Sequence, residues 1–237
     1  MAKSKKKPKT PSCESLIAKI NLDDARFVET LYVGSNGEKM NKFITFEAYL
    51  NAISAFRDSD MIDIPRLPDK ALDLRYAAAD DFCISFFVDA QVADTAYLKV
   101  ENCVQLPFPN LVFMFRVKKG KHSESRVFAV KDGRNKIDAN TLLFNYPYGN
   151  VYLGSGKICW GNSKITSMNY KGVRDTGIVL PSFFSAVTND DLYQHGATVS
   201  KDLELCEFIE KMSKKRKFDN ALLTSTGKTY GKEFAVL

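Results

Sequence analysis

Hydrophobic positions change their period several times along the chain, and each change predicts an element. Residues 26–33 (RFVETLYV) are rich in β-branched and aromatic side chains and run into Gly34-Ser35-Asn36-Gly37, the turn chemistry of a hairpin. Thr45 then stands as a cap before Phe46, Tyr49, Leu50, Ile53 and Phe56. Their spacing marks one face of a helix, expected to lie on the preceding hairpin. Pro65 and Pro68 close this region. Three strand-like stretches follow: residues 82–88 (FCISFFV), 96–106 (AYLKVENCVQL) and 111–117 (LVFMFRV), the last two divided by Pro107-Phe108-Pro109. The polar stretch 118–125 (KKGKHSES) is expected to turn the chain back into residues 126–132 (RVFAVKD) as an antiparallel pair. Leu111 to Phe115 is apolar at every position, and a strand of that kind is covered on both faces.

Residues 141–160 predict two or three short strands punctuated by Pro147, Gly149, Gly154 and Gly156. Leu205, Phe208, Ile209 and Met212 mark a second helix face, with Lys211, Lys214 and Lys215 toward the end that the helix dipole favours for cations. Residues 225–237 show no clear period, and no internal repeat is visible. These elements describe an α+β protein: a mainly antiparallel sheet, a helix near each end and a loop-rich centre.

Composition narrows the function classes. With 45% hydrophobic and 26% charged residues over 237 positions, the chain can fill a core and is not disordered as a whole. The formal charge is +6, but Lys3, Lys5, Lys6, Lys7 and Lys9 carry most of it without a nearby acid, leaving residues 14–237 almost neutral. This basic tail reads first as a solubilising terminus, and it is the one segment that could make an unspecific nucleic-acid contact. No stretch approaches the roughly 18 apolar residues of a membrane span, and the Lys-rich start has no apolar secretory segment behind it. Membrane partners are not expected. The five cysteines (Cys13, Cys83, Cys103, Cys159, Cys206) form no Cys-x-x-Cys pair, so a reducing cytoplasm is the expected compartment. With His122 and His195 as the only histidines, no metal centre is expected.

Several familiar motifs fail on their own terms. Gly154-Ser155-Gly156-Lys157 resembles the end of a phosphate-binding loop, but Val151 stands where that loop needs its first glycine. Ile158 stands where it needs a magnesium-binding hydroxyl. Gly-x-Ser-x-Gly, His-Glu-x-x-His and Gly-x-Gly-x-x-Gly are absent. A Cys–His pair of Cys159 with His122 or His195 has no supporting signature.

The segment Leu142 to Asn162 (LLFNYPYGNVYLGSGKICWGN) remains. A strand leads to a proline-fixed turn, an asparagine, a glycine-rich bend and a cysteine on the returning arm. Asn150 and Cys159 lie nine residues apart across this hairpin-like flap, a spacing that lets their side chains approach each other. A thiol beside a side-chain amide suits acyl transfer: the thiolate carries the acyl group and an amide N–H donates to the oxyanion.

Aromatic-Pro-aromatic-x-Asn-Val followed by Gly-x-Ile-Cys-x-Gly resembles the PRTRC system protein B family, also called the prokaryotic ubiquitin-conjugating-like family D. The resemblance extends through Pro107-Phe108-Pro109-Asn110-Leu111-Val112-Phe113, Phe128-Ala129-Val130 and Phe183-Phe184-Ser185, covering residues 105–190. The central segment is also similar to ubiquitin-conjugating enzymes, where a His-Pro-Asn turn precedes Gly-x-Ile-Cys. Here Tyr148-Gly149 stands in place of His-Pro, the gap from asparagine to cysteine is one residue longer, and Asn189 lies near the place of a downstream histidine.

The resemblance implies a ubiquitin-conjugating-like core at residues 101–213. A basic tail (1–13) and an N-terminal α+β lobe (14–100) would precede it, and a C-terminal extension (214–237) would follow. It implies Cys159 as acceptor of a thioester and Asn150 as oxyanion donor, with no cofactor. The implied partners are a ThiF-type activating-enzyme homologue, a small ubiquitin-like protein and an amine on a target still to be found. The alternative implied by the altered turn is a non-catalytic adaptor of the same fold.

A free cysteine is by default a small buried hydrophobe. Cys83 and Cys103 are accordingly expected inside strands, Cys206 packed beside its helix face, and Cys13 exposed without a role. Trp160 is expected to pack beneath the flap, His195 at the surface, and Lys214 to Lys217 as a solvated helix end.

Overall fold

Apolar alternation and β-branched runs yield eleven strands among the described residues, and these strands form three antiparallel sheets. The computed structural model describes residues 13–20, 27–34, 39–50, 67–99 and 103–237. The fold is α+β, with few helices. The chain divides into residues 1–63 and residues 64–237.

The first unit is a three-stranded sheet of β1 (Cys13–Ile20), β2 (Phe27–Gly34) and β3 (Lys39–Thr45), in that order. The β2–β3 pair is the hairpin expected from residues 26–37, although residues 35–38 of its turn lie outside the described residues. Thr45 Oγ1 accepts from the Ala48 amide at 3.1 Å, the capping bond its position calls for, and helical residues 46–50 follow. Ile53 and Phe56 of that helix face lie outside the described residues, as does the tail through residue 12. Cys13 opens β1, a strand the sequence pattern does not announce.

The second unit is built on a six-stranded sheet. Its strands are β4 (Ala71–Ala78), β5 (Asp81–Val88), β8 (Asn110–Lys118), β9 (Lys121–Val130), β10 (Leu142–Phe144) and β11 (Ser225–Thr229). Their spatial order is β11-β10-β9-β8-β5-β4. β6 (Gln91–Thr95) and β7 (Val104–Phe108) make a separate pair. The sheet takes strands from either side of residues 100 and 213. It draws β4 and β5 from before the first and β11 from after the second, because β5 pairs with β8 from Phe82 to Val88 and β11 pairs with β10.

Two local expectations also change. The stretch 96–106 is not one strand: the β6 ladder ends at Thr95, Tyr97 keeps a single bridge to Thr188, and pairing resumes at Val104. The turn expected over 118–125 shrinks to Lys119-Gly120, both with positive φ, and residues 121–125 are already β9. Their polarity reflects the end of a hairpin standing in solvent, not a loop.

The continuous apolar run of β8 is covered on both faces, as its pattern requires. Leu111, Phe113, Phe115 and Val117 enter one core, and Val112 and Met114 enter another. The first core is closed by α1 (Val179–Phe184) and α2 (Leu205–Ser213), with Leu205, Phe208, Ile209 and Met212 buried on the expected helix face. The second is closed by α3 (Tyr230–Val236), which sets Tyr230 and Phe234 against Phe87, Val112 and Phe128. Arg75 Nη1 donates to the carbonyls of Phe234 and Ala235 at 2.8 and 2.9 Å and fastens the end of α3. Among the described residues, no helix is long and apolar enough to cross a membrane.

Candidate functional site

The flap is a detour from the free edge of β9. β10 pairs with β9 at Phe144–Ala129, and after the excursion the chain returns to the same edge at Lys157–Arg126. Two aromatic side chains anchor the outgoing arm. Tyr148 is buried against Phe108 and Phe208, and its hydroxyl donates to the Pro107 carbonyl at 2.7 Å. Tyr146 packs on Phe183. With both rings turned inward, Gly149 and Asn150 are carried to the top of the turn. Asn145 ties the base, accepting from the Gly154 amide and donating to Thr224 Oγ1, each at 2.9 Å.

The hairpin expected between Asn150 and Cys159 is present in the backbone. The Cys159 amide donates to the Asn150 carbonyl at 2.8 Å, Val151 bridges Ile158, and Tyr152 donates to the Lys157 carbonyl at 2.9 Å. Gly156 has φ +68, and a Cβ there would lie 2.4 Å from Phe128 Cζ. Only glycine lets the returning arm lie flat on that ring. Along this arm Ile158 and Trp160 point inward while Lys157 and Cys159 are exposed.

Ser125 holds the arm from beneath. Its carbonyl accepts from the Ile158 amide at 3.0 Å and its hydroxyl accepts from Trp160 Nε1 at 2.6 Å. The two residues flanking Cys159 are thus fixed by one serine. His122 Nε2 lies 3.1 Å from the same hydroxyl, and burial, followed by the charge of Lys157, pushes the imidazole pKa down. Trp160 is the flap-packing residue expected.

Asn150 adopts φ +67, which asparagine tolerates better than most residues. Its side chain is a clamp: Nδ2 donates to the Val187 carbonyl at 2.8 Å and Oδ1 accepts from the Asn189 amide at 3.2 Å. The flap is thereby joined to the segment after α1. Gly149 makes the same approach possible, since a Cβ there would lie 2.0 Å from the Asn189 carbonyl oxygen.

These elements enclose a groove of about 480 Å³. Asn150 and Cys159 come from the flap, Ser163 and Lys164 from the turn beyond it, and Ser182 and Ser185 from the α1 side. A larger cavity of about 740 Å³ takes Leu180, Pro181 and Phe184 from α1, and its lining contains no thiol.

The other cysteines sort differently from expectation. Cys83 is buried as foreseen, and burial raises its thiol pKa. Cys103 and Cys206 are exposed, because Cys103 lies before β7 begins and Cys206 points away from the buried face of α2. Cys13 heads a strand, and its side chain lies outside the described residues. His195 is at the surface, where its hydrogen bond to Asp202 raises its pKa.

Ser125, Lys164 and the contact of the flap with residues 187–189 escape sequence reasoning. Ser125 hides in a stretch that reads as a polar turn, and this wall is brought in from far along the chain. The Phe183-Phe184-Ser185 similarity and the position of Asn189 are the signals pointing there.

The mainly antiparallel α+β architecture is consistent with an E2-like fold. Residues 58–226 match prokaryotic E2 family D, and the chain belongs to that family. Comparisons with curated proteins and with solved structures give no match.

Proposed function

We propose that this E2-like protein is an acyl carrier of the PRTRC type, in which Cys159 holds the C-terminus of a small ubiquitin-like protein as a thioester. A ThiF-type activating enzyme would present that terminus as its own thioester. The Cys159 thiolate attacks the carbonyl, the new C–S bond forms, and the thiolate of the activating enzyme leaves. A target amine then forms a C–N bond and releases Cys159. ATP is consumed upstream, so the carrier itself requires no nucleotide.

The exposed Cys159 on a rigid flap, opening on a groove in a chain of this family, carries the reading. A side-chain amide has two N–H groups, and the Val187 carbonyl takes one of those of Asn150. The other is assigned to the oxyanion, a contribution of ~2.7–4 kcal/mol where one such donor matters.

The test is to combine the protein with the activating enzyme, the ubiquitin-like protein and ATP, and to resolve the products without reductant. A thiol-sensitive adduct that Cys159→Ala abolishes is the expected result. Absence of the adduct with every component active would leave the adaptor reading, in which the flap serves only as a docking shape.

A further inference from the structure

We infer that Lys164 is an acceptor in cis: the acyl group carried on Cys159 passes to the Lys164 amine of the same chain. This rests on the acyl-carrier reading above and adds the destination of the group. The observation is a shared groove. Lys164 lines the same cavity as Cys159, is exposed, and takes part in no ion pair among the described residues.

The backbone between the two residues is fixed. Trp160 is fastened to Ser125, and its carbonyl accepts from the Ser163 amide at 2.9 Å. Ser163 caps the following 3-10 turn, Lys164–Thr166, by accepting from the Ile165 amide. Ile165 is fully buried and anchors that turn. The Lys164 carbonyl accepts from the amides of Ser167 and Met168 at 3.1 and 3.0 Å. An amine on a flexible side chain is thus held at a fixed root beside the thioester, which gives it the advantage of an intramolecular reactant over amines in solution.

Lys157 lies nearer in sequence but is absent from the groove lining, and its charge bears on His122 beneath the arm. It is the natural control. In the step itself, the neutral Lys164 amine attacks the thioester carbonyl, the C–N bond forms and the C–S bond breaks. Cys159 leaves as thiolate, and the amine's proton passes to that thiolate or to water. The product is an isopeptide that thiols cannot cleave.

The experiment loads the full chain chemically with a synthetic glycine-ending peptide thioester, so that no partner enzyme is needed. Intact mass before and after thiol treatment, followed by peptide mapping, reads both steps. In the chain carrying Cys13→Ser, Cys103→Ser and Cys206→Ser, whose thiols would otherwise load as well, expected are a thiol-sensitive adduct on Cys159 and then a thiol-resistant adduct on Lys164. Its rate should be independent of protein concentration, with a yield about tenfold or more above that at any other lysine. Lys164→Arg should remove the resistant adduct and Lys157→Arg should not. Loading of Cys159 followed by hydrolysis alone, or by scatter over several lysines, overturns the inference while leaving the carrier reading intact. Failure of Cys159 to load both here and with the activating enzyme, the ubiquitin-like protein and ATP removes both.

Discussion

An alanine at position 149 would place its Cβ 2.0 Å from the Asn189 carbonyl oxygen and 3.1 Å from Thr188 Cγ2. The first atom is backbone and cannot swing aside. To reach the 3.0 Å below which such contacts essentially never fall, the flap and residues 188–189 must part by about 1 Å. That segment is held on both sides: by Asn150 through Val187 and Asn189, and by Thr188, whose amide donates to the Ala96 carbonyl at 2.8 Å. Overpacking costs about 1–3 kcal/mol, and each hydrogen bond lost adds about 1 kcal/mol. A central figure is about 3 kcal/mol, or a melting temperature lower by about 6–12 °C. Trp160 is the only tryptophan in the sequence and adjoins Cys159, so its fluorescence follows unfolding of this region directly. Gly177→Ala is the matched control, because nothing lies within 4 Å of a Cβ at that position. Cys159 should also react faster with a thiol reagent in Gly149→Ala as the clamp loosens. If Gly149→Ala melts with the parent protein and Cys159 reacts at an unchanged rate, the close approach of flap and wall is not what holds the groove together.

Ser125→Ala should leave the Trp160 N–H buried without an acceptor, costing about 1–3 kcal/mol and changing the tryptophan emission; an unaltered spectrum and melting curve would contradict it. The depressed pKa of His122 means that the unfolded chain takes up this proton more readily than the folded one. Its contribution to stability is therefore full above about pH 6.5 and falls as pH drops below that value toward the folded pKa. Urea titrations of the parent and His122→Gln between pH 5 and 7.5 should show a shallower acid slope in the variant. Tyr230→Phe removes a hydroxyl that lies 2.6 Å from both Ser85 Oγ and Asp73 Oδ2, and should cost about 1–3 kcal/mol by equilibrium unfolding. Brief alkylation of the native protein should modify Cys103, Cys159 and Cys206 and spare Cys83, as mapped by mass spectrometry.

Local periodicity and backbone chemistry are legible along the chain, and several elements follow from them alone. The β2–β3 hairpin follows from a β-rich run ending in glycines, the Thr45 cap from its place before a helical spacing, and the α2 face from Leu205, Phe208, Ile209 and Met212. The unbroken apolar run of β8 required cover on two faces, and the glycine and asparagine positions required a flap that opposes Asn150 to Cys159. What covers the second face of β8 emerges only when the chain folds. α3 lies more than a hundred residues downstream in a segment with no period, where a short helix gains its stability from Phe87, Val112 and Phe128 and not from its own pattern. The same holds for Ser125 under the flap, for the 185–189 wall and for the exposure of Cys103 and Cys206. Each depends on which distant surface reaches a side chain, and periodicity along the chain carries no record of that.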